Sequence, residues 1–320
     1  MSIEPRATSF HIRHFAPDTD LPHLVQLYAL VEAVDHTGED VSEETLRGML
    51  VLPDHDPVKD RWVAVAEDAS DALVGFCSVW KAPTASHADI TGVVHPAWRR
   101  RGIGAELLAR SLQRAREGEA SHIFAYASLP LQASQSFLQH HGFYSRSLYS
   151  RLRAPAIITT PSIILPDGYH IAVYDESKDF PNFVYAIRHC FQGQWGHHDR
   201  MTEEDVRGWF AEMHLEGVFF LFGPNGTVVG LCRAEISEQL SRQQGRCVGY
   251  IDAPGIVPEA RNQQLYQPLL STAITWLQMQ QAESLEMESW GDSERVLALY
   301  QQNGFANAYQ EAIYRSDFVS

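Results

Sequence analysis

The chain has 320 residues, 45% of them hydrophobic and 20% charged, which suits two globular domains of ordinary size and excludes a disordered or fibrous chain. With 25 basic against 40 acidic side chains the net charge is −15, so the surface repels phosphate backbones and speaks against nucleic-acid binding as the main activity. No stretch approaches the roughly 20 apolar residues of a membrane span, the opening Met1-Ser2-Ile3-Glu4-Pro5-Arg6 lacks the apolar centre of a signal peptide, and Cys77, Cys190, Cys232 and Cys247 show no Cys-x-x-Cys spacing. These features predict a reduced, cytoplasmic chain without a structural zinc.

In chain order, hydropathy predicts a strand at His11-Ile12, helices over 20–34 and 42–50, and strands over 62–67, 73–80 and 90–94. A helix over 105–116, a strand over 122–127, a helix over 134–140 and a closing strand over 144–152 follow. Ser42 stands where an N-cap is expected, with Thr45 in place of the Glu of a capping box. The order β-α-α-β-β-β-α-β-α-β describes an α/β layer arrangement.

The order then begins again. His170-Ile171 follows His11-Ile12 at a distance of 159 residues, and Thr202-Glu203-Glu204-Asp205-Val206-Arg207-Gly208 follows Ser42-Glu43-Glu44-Thr45-Leu46-Arg47-Gly48 at 160. Val229-Gly230-Leu231-Cys232 follows Val74-Gly75-Phe76-Cys77 at 155, and Gly304-Phe305 follows Gly142-Phe143 at 162. Anchors in one order at a nearly constant distance mark a tandem duplication. Residues 154–168, rich in Pro and Thr and ending in Asp167-Gly168, read as a linker between a domain over 1–153 and a domain over 169–320. Val218-Phe219-Phe220-Leu221-Phe222 reads as a buried strand of the second copy.

The chemistry is concentrated in Val93-Val94-His95-Pro96-Ala97-Trp98-Arg99-Arg100-Arg101-Gly102-Ile103-Gly104-Ala105, where a strand runs through a short loop into a helix. Free N–H groups at a helix start bind anions, and the helix dipole adds partial positive charge. Glycines at 102 and 104 clear the approach to the backbone, and three arginines supply forked donors. The pattern describes a diphosphate cradle. A dinucleotide fingerprint would need glycine at Leu107 and an acidic residue at the end of the next strand, and a P-loop would need Gly-Lys-Ser/Thr. Neither is present.

Arg99-Arg100-Arg101-Gly102-Ile103-Gly104 after Val94-His95-Pro96 resembles the acetyl-CoA loop of the GNAT N-acetyltransferase superfamily, and the helices ending in Gly142-Phe143 and Gly304-Phe305 resemble that family's second hallmark. The duplicated architecture is similar to mycothiol synthase-type double GNAT proteins, which keep the working loop in the second half; here the intact loop is in the first. The resemblance implies two GNAT domains, each a mixed, mostly antiparallel twisted sheet flanked by helices, and acetyl-CoA as co-substrate without a metal. It implies that Val93, Val94, Arg99, Arg100, Arg101, Gly102, Ile103, Gly104, Ala105 and Ser134 hold the cofactor. The free amides of Val93 and Val94 would hold the pantetheine arm and the thioester carbonyl oxygen, as an oxyanion-type donor set. Asp89 is the candidate base, with His87 as substitute. The family's general-acid tyrosine is replaced by Leu138 and an upstream asparagine by Leu131, so that the thiol leaves without an acid or Tyr126 or Tyr144 stands in.

In the second copy Gln264 and Tyr266 replace the two glycines, so their side chains are expected to occupy the phosphate space; Tyr300, at the acid position, is expected to be a core or pocket residue. Fifteen histidines lack a His-Glu-x-x-His spacing, and the adjacent pairs His140-His141 and His197-His198 point apart on a helix. Glu32, Asp35, His36 and Glu39 form an acidic segment where the acceptor would enter, with Glu32 and His36 as candidate substrate-binding residues; Trp195, His197 and His198 occupy the matching loop of the second copy. Three activities fit these residues: acetyl transfer to a small, cationic primary amine, CoA sensing without catalysis, and acylation of a protein amine. A monomer or homodimer is expected.

Overall fold

The computed structural model describes residues 9–38, 41–51, 56, 58–67, 72–82, 85–162, 164–194, 202–210 and 215–318. It forms two compact units, Met1–Arg146 with Glu311–Ser320, and Ser147–Gln310.

The first unit runs β1 (Phe10–His14), α1 (Pro17–Asp35), α2 (Glu43–Leu50), β2 (Arg61–Ala66), β3 (Leu73–Trp80), β4 (His87–Val94), α3 (Ile103–Glu117), β5 (His122–Ser128), α4 (Gln132–His140) and the start of β6 (Tyr144–Pro155). The second continues β6 into β7 (His170–Val173), α5 (Phe180–His189), α6 (Glu203–Phe210), β8 (Val218–Phe222), β9 (Val228–Ile236), α7 (Glu238–Gln244), β10 (Val248–Ile256), α8 (Tyr266–Met279), β11 (Ser284–Trp290), α9 (Glu294–Gln302) and the start of β12 (Ala306–Asp317). The expected element order holds in both copies, α7 being an addition in the second. Neighbouring strands pair antiparallel except β4 with β5 and β10 with β11, so each unit is built on a mixed sheet.

The closing strands change places. Glu311 to Asp317 of β12 pair with Ser128 to His122 of β5, inside the first unit. Tyr149 to Pro155 of β6 pair with Trp290 to Ser284 of β11, inside the second.

Local choices agree with this architecture. Every residue of β2 is buried because both faces of its sheet are covered. Trp62, Ala64 and Ala66 join one core with Ile103, Leu107 and Leu108 of α3, while Val63 and Val65 join another with Leu24, Leu27 and Tyr28 of α1. Ser42 caps α2, its Oγ accepting the Thr45 N–H at 3.2 Å. In the second copy Thr202 and Asp205 cap reciprocally, at 3.1 and 2.7 Å. Both Gly-Phe pairs close a helix: Gly142 and Gly304 have φ of +83° and +89°. The Phe143 N–H then bonds the Leu138 carbonyl at 3.0 Å and the Phe305 N–H that of Tyr300 at 3.2 Å. The two rings are 3% and 2% exposed, a burial each contributing about 1.5–3 kcal/mol.

Candidate active site

The parallel pairing of β4 with β5 covers only His87 to Ile90 against His122 to Ala125. Beyond Ile90 the two strands part, while β4 stays paired with β3 as far as Val94 against Gly75. The His95 N–H bonds the Val74 carbonyl at 3.0 Å. Successive strand residues direct their N–H groups to opposite edges, so Val93 faces β3, whereas Gly92 and Val94 direct theirs into the gap. The Val94 amide is therefore the open donor; Val93 contributes its side chain to the wall and not, as the sequence suggests, a free amide.

A cavity of about 560 Å³ occupies this gap, its lining including Val93, Val94, Arg99, Arg100, Gly102 to Ala105 and Ser134 as well as Tyr28, Glu32, Tyr126 and Glu311. Gly102 holds a left-handed φ of +89° and Arg100 one of +64°. Among the described residues no acceptor meets the N–H groups of Gly102, Ile103, Gly104 or Ala105; the first helical bond at this end runs from Glu106 to Gly102, at 3.1 Å. Four adjacent amides at the positive end of a 15-residue helix form a cradle of the size and charge that a diphosphate needs. A Cβ on Gly102 would meet open space, and one on Gly104 would lie 3.4 Å from the Phe137 ring, which forms the side wall.

The three arginines divide their work. Arg99 holds Asp35 through two bonds of 2.8 and 2.6 Å and the Val94 carbonyl at 3.2 Å, so it fixes the loop, and it lines the cavity. Arg261, its counterpart in the second copy, clips the Ile256 carbonyl at 2.9 Å in the same way. Arg101 lies over the Trp98 ring and outside the cavity wall. Arg100 is exposed and lines the cavity.

Asp89 does not line the cavity. It accepts a short hydrogen bond from the Tyr126 hydroxyl, which does line it. Burial pushes the Asp89 carboxyl upward against the opposing pull of that bond and of His87. His87 Nε2 stands 3.6 Å from Asp89. Tyr126 is held well above the ordinary tyrosine range, by burial first and by the Asp89 charge second, and stays a neutral hydroxyl. Tyr144 is exposed and bonded to Asp317 at 2.8 Å, away from the cavity. Leu138 is buried in the core.

The second unit carries the same pair with the partners interchanged: the Tyr250 hydroxyl, at the strand position matching Asp89, bonds Glu288, at the position matching Tyr126, at 2.9 Å. A tyrosine–carboxylate bond thus straps the central strands of both units near the point where they part.

On the acceptor side, Glu32 receives the Thr37 and Gly38 N–H groups at 3.0 and 2.8 Å. Burial raises its carboxyl, and the hydrogen bond from the Thr37 hydroxyl together with these two N–H bonds more than offsets the rise, leaving it below the usual range. His36 ends α1 at φ +49° and is not part of the cavity wall. Glu39, Trp195, His197 and His198 lie outside the described residues. Glu311 was missed by sequence reasoning, because only the strand exchange brings it here; no local pattern announces it.

In the second unit Tyr266 stands where Gly104 stands in the first and is 6% exposed, packed in the core. Behind it Tyr300 is fully buried and its hydroxyl bonds Asp292 at 3.1 Å; Ser289 and Gln194 bond the same carboxylate at 2.7 and 2.8 Å. Burial pushes Asp292 from 3.8 up to about 6. The folded chain then holds this proton more tightly than the unfolded chain, so stability rises as pH falls from above 6 toward 4 and levels off below. The burial costs on the order of 3 kcal/mol at neutral pH. Urea unfolding at pH 7 and pH 5 is expected to show wild type gaining about 1–3 kcal/mol relative to Asp292→Asn; parallel curves for the two would show that the carboxyl is already neutral or freely hydrated.

Among the described residues no helix is long and apolar enough to cross a membrane, and no group of three or more His, Cys, Asp or Glu side chains gathers as metal ligands do.

The sequence profile described as "Acetyltransferase (GNAT) family" matches residues 25–143 and again 181–305. The chain belongs to this family. It is an N-acetyltransferase of tandem GNAT architecture, and the family's acyl donor is acetyl-CoA. Among its relatives, the mycothiol acetyltransferase of Salinispora tropica is 27% identical over 293 residues, covering 89% of this chain and 90% of the relative. That of Sanguibacter keddieii is 25% identical over 293 residues, covering 88% and 89%. In fold, the chain is similar to a GCN5-related N-acetyltransferase from Sphaerobacter thermophilus, with a TM-score of 0.72 at 18% identity over 98% of this chain and 96% of that one. It is also similar to a tandem GNAT protein from the clavulanic acid biosynthesis pathway, with a TM-score of 0.61 at 15% identity over 98% and 100%.

Proposed function

We propose that the first copy, residues 1–153, transfers an acetyl group from acetyl-CoA to the primary amine of a small, cationic molecule, and that the second copy, residues 169–320, holds no cofactor. The observation that carries this reading is the contrast at the helix starts: open amides from Gly102 to Ala105 in one copy, the buried Tyr266 ring in the other. The relatives' name, mycothiol acetyltransferase, supports a small thiol-bearing amine as acceptor.

The residues divide the work as follows. The amides of Gly102 to Ala105, with Arg100 beside them, take the diphosphate, and Ser134 and the Val93 side chain wall the passage. The Val94 N–H donates to the carbonyl oxygen, whose charge grows as the amine adds. Bound acetyl-CoA supplies the thioester: the nitrogen lone pair forms the C–N bond, the C–S bond breaks, and sulfur leaves with the electron pair. The amine's proton passes to the Tyr126 oxygen as the Tyr126 proton passes to Asp89, and His87 connects Asp89 to solvent.

The test is thiol release from acetyl-CoA across diamines, amino sugars and amino acids. Asp89→Asn is expected to lower kcat at least tenfold and to leave acetyl-CoA affinity within twofold. Equal loss in both would remove Asp89 as base, and a wild-type chain that binds acetyl-CoA but acetylates no amine would remove the function.

A further inference from the structure

We propose that Asp35 and Arg99 are a positioning pair for acetyl transfer: through them helix α1 fixes the edge of β4 from which the Val94 N–H meets the thioester carbonyl. The inference rests on the acetyltransferase reading of the first unit's cavity and adds to it the residues that aim its donor.

In an extended strand the N–H and C=O of one residue leave toward the same edge, so the Val94 carbonyl points into the same gap as its N–H. With β5 parted from β4 beyond Ile90, the ladder offers that carbonyl no partner. Arg99 supplies one, its Nε donating at 3.2 Å. The other two guanidinium nitrogens donate to the two Asp35 oxygens at 2.8 and 2.6 Å. A planar group held at all three nitrogens cannot turn without breaking bonds, so the Val94 edge takes its orientation from Asp35. The anchor itself is rigid. Asp35 closes α1 with its side chain only 9% exposed, and Leu24, Leu27, Tyr28 and Val31 of the same helix pack in one core with Val63 and Val65 of β2.

The second copy separates the scaffold part of this device from the part tied to chemistry. Arg261 Nε donates at 2.9 Å to the carbonyl of Ile256, which stands opposite Gly230 as Val94 stands opposite Gly75. The clip on the strand is therefore common to both copies. The outer grip differs. Arg261 Nη2 meets the Cys190 and Gln192 carbonyls, at 3.4 and 2.6 Å, and Gln194, 159 residues after Asp35, bonds Asp292 instead. A fork-to-fork pair fixes direction as well as distance, which bonds from one nitrogen to carbonyls do not. That stricter grip is found in the copy whose helix start is open, and the looser one where Tyr266 stands in place of Gly104.

The experiment uses the full chain and acetyl-CoA isotope-labelled at the acetyl carbonyl, whose infrared stretch moves to lower frequency when a donor polarises it; no amine is needed. Bound to wild type, the band is expected below that of free acetyl-CoA, and Val94→Pro marks its position without the donor. Asp35→Gln installs the residue that the second copy has at this place. It is expected to return the band at least halfway to the Val94→Pro position and to leave acetyl-CoA affinity, read by calorimetry, within twofold. With the best amine of the panel above, kcat should fall about tenfold or more, as misplaced reacting groups require. In an Arg99→Ala background the same change should alter kcat less than about twofold, because the two side chains act as one unit. Asp35→Asn, which keeps the carboxylate's shape, is the second variant and should fall between wild type and Asp35→Gln. A band unmoved in either folded variant, or kcat losses of Asp35→Gln and Arg99→Ala that multiply in the double variant, would overturn the pair while leaving the acetyltransferase reading intact. A band that Val94→Pro leaves in place would remove Val94 as the donor and the pair's role with it, and a wild type that fails to bind acetyl-CoA would remove the function itself.

Discussion

Gly102→Gln/Gly104→Tyr is expected to weaken acetyl-CoA binding at least a hundredfold while the chain still folds. The double change copies Gln264 and Tyr266 of the second half into the first. At 102 the left-handed φ of +89° makes a side chain cost about 1–2 kcal/mol, but the space around it is open, so the fold tolerates the change. At 104 the Phe137 ring already lies 3.4 Å from the position of a new Cβ. The tyrosine ring must therefore swing over the amides or displace Phe137 into the passage. Either way, hydrogen bonds between N–H groups and a charged diphosphate are lost, each worth about 1.5–3 kcal/mol. Two of them account for the hundredfold. Calorimetry with CoA reads the affinity, and thermal unfolding shows whether the variant is native. Affinity equal to wild type would mean that the diphosphate rests elsewhere.

Much of this site is written in local sequence. The glycines, the proline after Val94 and the length of α3 specify the open helix start through backbone geometry alone, and the absence of glycine at 264 and 266 marks the difference between the copies. Three features are not local. The exchange of β6 and β12 depends on which sheet edge each closing strand finds, and neither strand's period-two pattern names its partner; Glu311 is invisible to sequence for that reason. Arg99 adjoins the glycines, but its pairing with Asp35, 64 residues earlier, has no local signature. Asp89 is singled out in the sequence as a candidate base on β4, but its bond to Tyr126 depends on the register of two parallel strands distant in sequence.

The second large effect is expected at Val94. Val94→Pro should lower kcat by about 10²–10³, the cost typical of losing one oxyanion donor, with acetyl-CoA affinity changed only a fewfold. Proline is ordinarily excluded from a strand interior because it deletes a ladder hydrogen bond. Position 94 is exempt, since β5 has parted from β4 and the Val94 N–H faces the gap. The neighbouring bonds remain: His95 N–H still reaches the Val74 carbonyl, and Arg99 can still hold the carbonyl at 94. Val93, which must be extended before a proline, is already in the strand. Val93→Pro is the control with the opposite outcome. Its N–H points into the β3 ladder, so that variant should lose stability and lower the melting temperature by several degrees before any kinetic question arises. Steady-state rates with saturating amine, paired with calorimetry of CoA, separate the two. A stable Val94→Pro enzyme with wild-type kcat would show that the thioester carbonyl takes its hydrogen bond from another donor, and the parting of β4 from β5 would then serve only to admit the pantetheine arm.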